Sequence, residues 1–280
     1  MFALEFPPIN AILRWKDLFP TFNKVALIAV AAALIGIVIF LLAGSKDGTK
    51  APRGVRNLAE TIVEFIEDQV VLPTIGREGL RWTPFFISLF VFIYLCNAPG
   101  VIPLLQMPAT ARIAIPLCLS LLVWVIFIGV GIKHQGLAYF GHLLWPPGVP
   151  GGLKPLVGVI EFVSTILIRP FSQTVRLMAN MMAGHILLVT FALLSEALFE
   201  AETKRVPFFV MGFLPLAMLI FLTVFEILVA FLQAYIFTIL TGVYIGSSME
   251  GHGDEHAISE HAEPGAHAET PRRAEPAAAH

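Results

Sequence analysis

From Val25 to Ala43 the chain runs nineteen residues without a charge or a strong hydrogen-bonding side chain. That length matches the roughly 20 residues an α-helix needs to cross about 30 Å of hydrocarbon. In such a medium each backbone N–H and C=O must be satisfied within the segment, so a lone crossing segment has to be helical. Further apolar runs follow at residues 83–95 and 113–132, and two much longer ones at about 155–199 and 207–245. Each long run has room for two short spans or one long tilted helix. Residues 200–206, rich in charge, read as the turn of a hairpin joining them at one membrane face. A sequence of 280 residues that is 57% hydrophobic and 14% charged cannot hide its apolar surface in one soluble core. The expected fold class is therefore an all-α polytopic membrane protein of about five transmembrane helices, with a long tilted helix hairpin. The first run is longer than the usual core of a signal peptide and follows 24 residues of mixed charge, so it is expected to remain as a span.

Two segments have a different character. In residues 54–72, Val55, Leu58, Ile62, Phe65, Ile66 and Val70 recur at helical spacing, with Glu60, Glu64 and Glu67 along the other side. This predicts an amphipathic helix lying on the membrane or against a partner. Beyond residue 248 the chain turns to Ala, Glu, His, Pro and Gly and carries five of the eight histidines. Nothing there can pack, and the histidine spacing is irregular for a metal site, so 249–280 is expected to be a disordered tail. The domain reading is thus 1–24 as an N-terminal segment, 25–248 as the membrane domain and 249–280 as the tail. Cys96 and Cys118 both lie in apolar runs and act as small packing residues rather than a disulfide. Arg14, Lys16, Lys24, Arg112, Lys204 and Arg205 fall on one side of the membrane. Ten Lys and Arg, including Lys133 and Lys154, fall on the other. The richer side belongs in the cytoplasm, which predicts an external N-terminus and a cytoplasmic C-terminus.

Ionisable side chains inside a span are costly and mark function by default. Here they are Glu161, Arg169, Arg176, His185 and Glu226, joined by the polar Asn180 and Gln233. In an antiparallel hairpin, residues at equal depth have position numbers that sum to a constant. The pairs Arg176 with Gln233 and His185 with Glu226 obey one such register to within two residues. Helical phase places Ser172, Arg176 and Asn180 on one face and turns His185 roughly opposite. Arginine, with a pKa above about 12, cannot pass a proton on and serves as a fixed field. Histidine and glutamate titrate, and a close pair shares its protons. A proton path fits these residue types. So does a structural role in which Arg176 ties helices together and His185 is a satisfied interior histidine.

The string from Arg169 to His185, Arg-Pro-Phe-Ser-Gln-Thr-Val-Arg-Leu-Met-Ala-Asn-Met-Met-Ala-Gly-His, closely resembles the signature helix of subunit a of the F-type ATP synthases. Glu226 to Phe237, Glu-Ile-Leu-Val-Ala-Phe-Leu-Gln-Ala-Tyr-Ile-Phe, resembles the last helix of that family. Asn97 to Pro103 is similar to its Asn-and-Pro loop, and Lys133-His134-Gln135-Gly136 to its cytoplasmic loop. The resemblance extends over about residues 20–247. It implies five spans, a surface helix and a hairpin curling around a rotor ring of subunit c. It also implies a peripheral stalk subunit b, an F1 catalytic sector in the holoenzyme, and contact with membrane lipid in a bacterial inner membrane. The implied function is a proton-translocating stator subunit with two half-channels to and from the rotor carboxylate. No catalysis of its own, cofactor, metal or nucleic-acid partner is implied.

By the same resemblance, Arg176 faces the rotor carboxylate, and His185 with Glu226 line the external half-channel. Gln233, Asn180 and Asn97 are further polar positions of the path. Glu161, Ser172 and Ser164 fall in the cytoplasmic half-channel. Three departures stand out. Some bacterial members carry the acid and base of the His185–Glu226 pair exchanged. Gly100 replaces an aspartate of some members. Glu161 stands fifteen residues before Arg176, one more than is usual, which still leaves the two within about 60° in a regular α-helix. Other functions are less well served. A stand-alone proton or cation transporter would show internal repeats, which are not found. A haem-bearing anchor needs paired histidines within spans, and only His185 lies well inside one. No Gly-x-x-x-x-Gly-Lys-Ser/Thr phosphate loop occurs.

Overall fold

The computed structural model describes residues 24–44, 54–102, 108–136, 138–145, 152–200 and 206–249. The N-terminal segment, the connector 201–205, Pro103 and the tail after Met249 lie outside the described residues. Within them all regular structure is helical. Helix α1 spans Lys24–Ala43 and α2 Val55–Ile66. Helix α3 spans Thr83–Asn97, α4 Ala114–Gln135, and the short α5 Ala138–Leu144. Helix α6, Lys154–Val163, leads into α7, Arg169–Glu200, and α8 runs from Val206 to Met249. Five stretches are long and apolar enough to cross a membrane: Val25–Ala43, Arg77–Gly100, Ala114–Gln135, Lys154–Phe199 and Met211–Met249. The two long runs are each one crossing, not two. At 1.5 Å per residue, the 44 residues of α8 extend about 66 Å, twice the hydrocarbon thickness, so the helix must tilt strongly to stay within it.

The surface is that of a protein solvated by lipid. On α1, Leu34 and Ile37 are each 56% exposed and Leu41 73%, a distribution that water would penalise and acyl chains do not. The interior is a seam where α2, α3, α4, α7 and α8 meet. Its fully buried side chains include Ile66, Val70, Phe86, Phe127, Met181 and Phe237. Helix α1 docks on α3 through a smaller cluster of Val25, Ile28, Ala32 and Cys96. Gly136, at φ 64°, ends α4 and donates its N–H to the Ile132 carbonyl at 2.8 Å, so the chain can reverse into α5.

The amphipathic helix is present, and its apolar stripe is divided. Val55 and Leu58 remain exposed, while Ile66, Val70 and Val71 insert into the core. Phe65 packs on Phe90, Phe231 and Tyr235 at centroid separations of 5.7–5.9 Å. The second half of the stripe thus serves the protein's own bundle rather than a partner, and Glu60, Glu64 and Asp68 stay exposed on the other side.

Two π turns interrupt these helices, Glu67–Val71 and Ser164–Ile168. Each ends two residues before a proline, Pro73 and Pro170. A proline inside a helix lacks the N–H for its i−4 carbonyl and its ring collides with that carbonyl. Widening the preceding turn relieves the clash, and the Arg169 N–H accordingly reaches the Ser164 carbonyl five residues back.

The helical turn Leu72–Thr74, after the first π turn, meets α8 where Gly242 and Gly246 leave the latter bare. A Cβ on Gly246 would stand 2.2 Å from the Thr74 carbonyl oxygen, and one on Gly242 2.5 Å from Thr74 Oγ1. In lipid, close backbone approach of this kind is a main source of helix association. Gly246→Ala should therefore cost about 1–3 kcal/mol by overpacking. A lowered thermal midpoint of the subunit in detergent checks this, and an unchanged midpoint refutes it.

Candidate functional site

Helices α7 and α8 pack antiparallel along a seam that carries most of the polar side chains of the membrane interior. At one end Ser195 donates to the Gly212 carbonyl at 3.4 Å and Phe199 crosses Phe213 edge-on. Further along, the Glu226 carboxylate rests against Gly184, where a Cβ would meet Oε1 at 3.0 Å. Asn180 then donates to Gln233 Oε1 at 2.8 Å. Gln173 follows, donating to the Phe237 carbonyl at 3.2 Å and to Thr241 at 3.3 Å. At the far end the Arg169 guanidinium lies 5.1 Å from the centre of the Tyr244 ring, a cation–π contact. The apolar requirement for lipid-facing residues explains why these polar groups turn inward on both helices.

Arg176 is different. It stands midway between Lys154 and Glu200, on the exposed side of α7, in one stripe with Asn180, Ala183 and Leu187. Among the described residues it makes no hydrogen bond or ion pair. His185 and Glu226 are buried at 3% and 5% exposure, His185 on the side of α7 away from Arg176 and Glu226 on α8 against Gly184. No direct hydrogen bond joins them, and Glu226 Oε2 is buried without a partner. Gln233 is buried as well. Its partner is Asn180, one turn beyond the Arg176 that equal depth assigned to it, because Arg176 turns outward and Asn180 lies at the edge of the seam.

Asn97 sits apart from this seam, at the end of α3. It is 1% exposed and accepts a hydrogen bond from the Thr110 hydroxyl, in a turn that packs on α7. Its Nδ2 is buried without a partner. Ser172 and Ser164 are half-buried. Glu161 is half-buried at the Lys154 end, in a small pocket with Thr165 and Arg169. The π turn between Glu161 and Arg176 absorbs one residue of rotation. Fifteen residues then turn as fourteen would in a regular helix, leaving Glu161 about 40° from Arg176 on the other side.

Sequence reasoning did not find Gln173–Thr241, the Ser120–Thr174 bond between α4 and α7, or the berth Gly184 makes for Glu226. The one signal available was the proline two residues past each π turn. Among the described residues no cluster of His, Cys, Asp and Glu is placed to hold a metal ion.

A long membrane hairpin with a buried polar seam and one outward arginine at its midpoint defines a multi-pass membrane protein built to handle ions within the bilayer. The family model of the ATP synthase A chain matches residues 25–246. ATP synthase subunit a of Frankia alni is 42% identical over 260 residues, covering 92% of this chain and 86% of its own. The subunits a of a Parafrankia species and of Rhodococcus erythropolis are 40% and 37% identical. They cover 86% and 84% of this chain, and 80% and 84% of their own lengths. The chain belongs to the ATP synthase A chain family.

Proposed function

We propose that the α7–α8 seam conducts protons through two half-channels that meet at Arg176, where they serve a carboxylate carried by a moving ring of subunit c. As a member of its family the chain is the proton-translocating stator subunit of an F-type ATP synthase. The observation that carries the half-channel proposal is the exposed guanidinium in the middle of a membrane helix. A permanent charge facing lipid at that depth is costly by several kcal/mol. It is tolerable where a carboxylate from a neighbouring subunit comes opposite. Arg176 is then the fixed field that ionises each arriving carboxylate and blocks protons from slipping between channels. His185, Glu226, Gln233, Asn180 and Asn97 line the external path. Glu161 and Ser172 line the cytoplasmic one, with Ser164 beside them.

The excess of Lys and Arg on the side of Lys133 and Lys154 supports a cytoplasmic Glu161 end, and hence an external N-terminus. Residues 25–248 are the working domain, with 1–24 and 249–280 as appendages. The subunit does no bond chemistry itself. Each proton crossing delivers about 2.3 kcal/mol per 100 mV of membrane potential. Peripheral stalk subunit b and the F1 sector hold it against the torque. Gentle solubilisation of membranes with a tagged chain should recover the ring and a soluble ATPase together with it. Recovery of the chain alone, active for proton transport in liposomes, would mean a self-contained transporter instead.

A further inference from the structure

Apart from Thr83 at the first position of α3, Thr165 is the exception among the described threonines of the α-helices and π turns. Thr61, Thr74, Thr174, Thr190, Thr223, Thr238 and Thr241 each donate their hydroxyl to the carbonyl four residues back, at 2.6–2.9 Å. Thr165 is 1% exposed, yet its Oγ1 has no partner. It sits in the π turn Ser164–Ile168, and its i−4 carbonyl, that of Glu161, already accepts the Ser164 N–H. A buried hydroxyl without a bond costs about 1–3 kcal/mol, so such a group is normally satisfied by something.

The space next to it has the size and lining for one thing. A cavity of about 10 Å³ is lined by Thr165, Glu161, Arg169, Ser247 and Ser248, among others. A single water needs about 10–15 Å³ and two to four polar partners. An anion or organic molecule does not fit that volume. Ser247 and Ser248 already spend their hydrogens on the Tyr244 carbonyl, at 3.1 and 2.8 Å, and present oxygen lone pairs. Arg169 is steered by the Tyr244 ring.

We infer that this cavity is a one-water site beside the π turn, that Thr165 is its positioning residue, and that the bound water hands protons to and from Glu161. The proton balance is simple. The water passes one proton to the carboxylate as it takes another from the aqueous side, and it returns to its starting state. Thr165 orders the water without exchanging a proton itself, its hydroxyl serving the cavity it lines rather than the helix backbone. This inference rests on the proposed half-channels and adds a residue and a solvent site to the one containing Glu161.

The test uses the whole ATP synthase in inverted membrane vesicles. Thr165→Val keeps the shape and removes the hydroxyl, whereas Thr165→Ser keeps the hydroxyl and removes a methyl. With normal subunit levels, ATP-driven acidification should slow roughly fivefold or more in Thr165→Val, the effect of losing about one hydrogen bond. Thr165→Ser should keep most of the rate. A valine variant as fast as the parent overturns the inference, and so does an equal loss in both variants, which would mark a packing effect. If the valine variant does not assemble, a cryo-electron-microscopy map of the parent complex decides, because ordered density on Thr165 Oγ1 is required and its absence is fatal. Arg176→Ala, run in parallel, separates the two levels: normal pumping there removes the half-channel proposal itself, whatever Thr165 does.

Discussion

Replacing Arg176 with alanine is expected to abolish ATP synthesis driven by a proton gradient while the complex still assembles. The guanidinium lies on the exposed side of α7 and bonds to no described residue, so the fold does not need it. On the proposed mechanism, what needs it is a carboxylate brought opposite by the ring of subunit c. A carboxylate left unpaired in a low-dielectric setting costs about 3–5 kcal/mol. At 1.4 kcal/mol per decade that is a loss of roughly two to three and a half orders of magnitude in coupled turnover. Arg176→Lys should fail substantially too. An ammonium gives up its proton more readily when desolvated, and it lacks the planar fork that matches a carboxylate. ATP synthesis and ATP-driven proton pumping in inverted vesicles measure both variants. Near-normal pumping in Arg176→Ala would remove Arg176 from the path.

The second large effect is expected at His185 and Glu226. Both are buried, and Glu226 rests against Gly184, the neighbour of His185. Glu226 Oε2 is unpartnered and makes no direct bond to the imidazole, so on the proposed path the two groups act through the space between them. Losing either strands the other as an ionisable group with no counterpart, so each single change should be severe. The two losses should not add. A coupling of about 0.5–3 kcal/mol in a double-mutant cycle on proton flux is the expected range for groups sharing a network. Exchange of the pair, His185→Glu with Glu226→His, keeps one acid and one base and should recover more flux than either single change. pH-dye quenching in inverted vesicles reads all four states. Strictly additive losses without recovery in the exchanged variant would show that the two residues do not share a path.

Gly184 adds a steric condition to that experiment. It leaves room for a carboxylate reaching in from α8, and the flat imidazole brought there by Glu226→His must use the same berth. Recovery in the exchanged variant therefore tests the shape of the site as well as its charges.

Much of this protein is written in one dimension because lipid imposes one-dimensional rules. A segment must be apolar, uncharged and about 20 residues long to cross, so the apolar runs that cross and the amphipathic helix could be read directly. Ionisable residues inside those spans are rare enough to name themselves, and Arg176, His185 and Glu226 needed no coordinates to be singled out. The antiparallel register was legible from spacing, since both helices advance by the same rise per residue.

What spacing could not decide was whether each long run crossed once or twice, because length alone permits a tilted helix or two short ones. Nor could it decide where a side chain finds its partner. Gln233 bonds Asn180 instead of lying beside Arg176, because neighbouring helices decide which way a guanidinium turns. The π turn before Pro170 was invisible in a pattern counted at 100° per residue, yet it sets the phase of Glu161 and contains Thr165, whose hydroxyl has no partner. Partition into a membrane is a property of the segment and so belongs to the sequence. Pairing, phase and the fate of a single hydroxyl depend on atoms brought together from distant parts of the chain, and only the packed structure decides them.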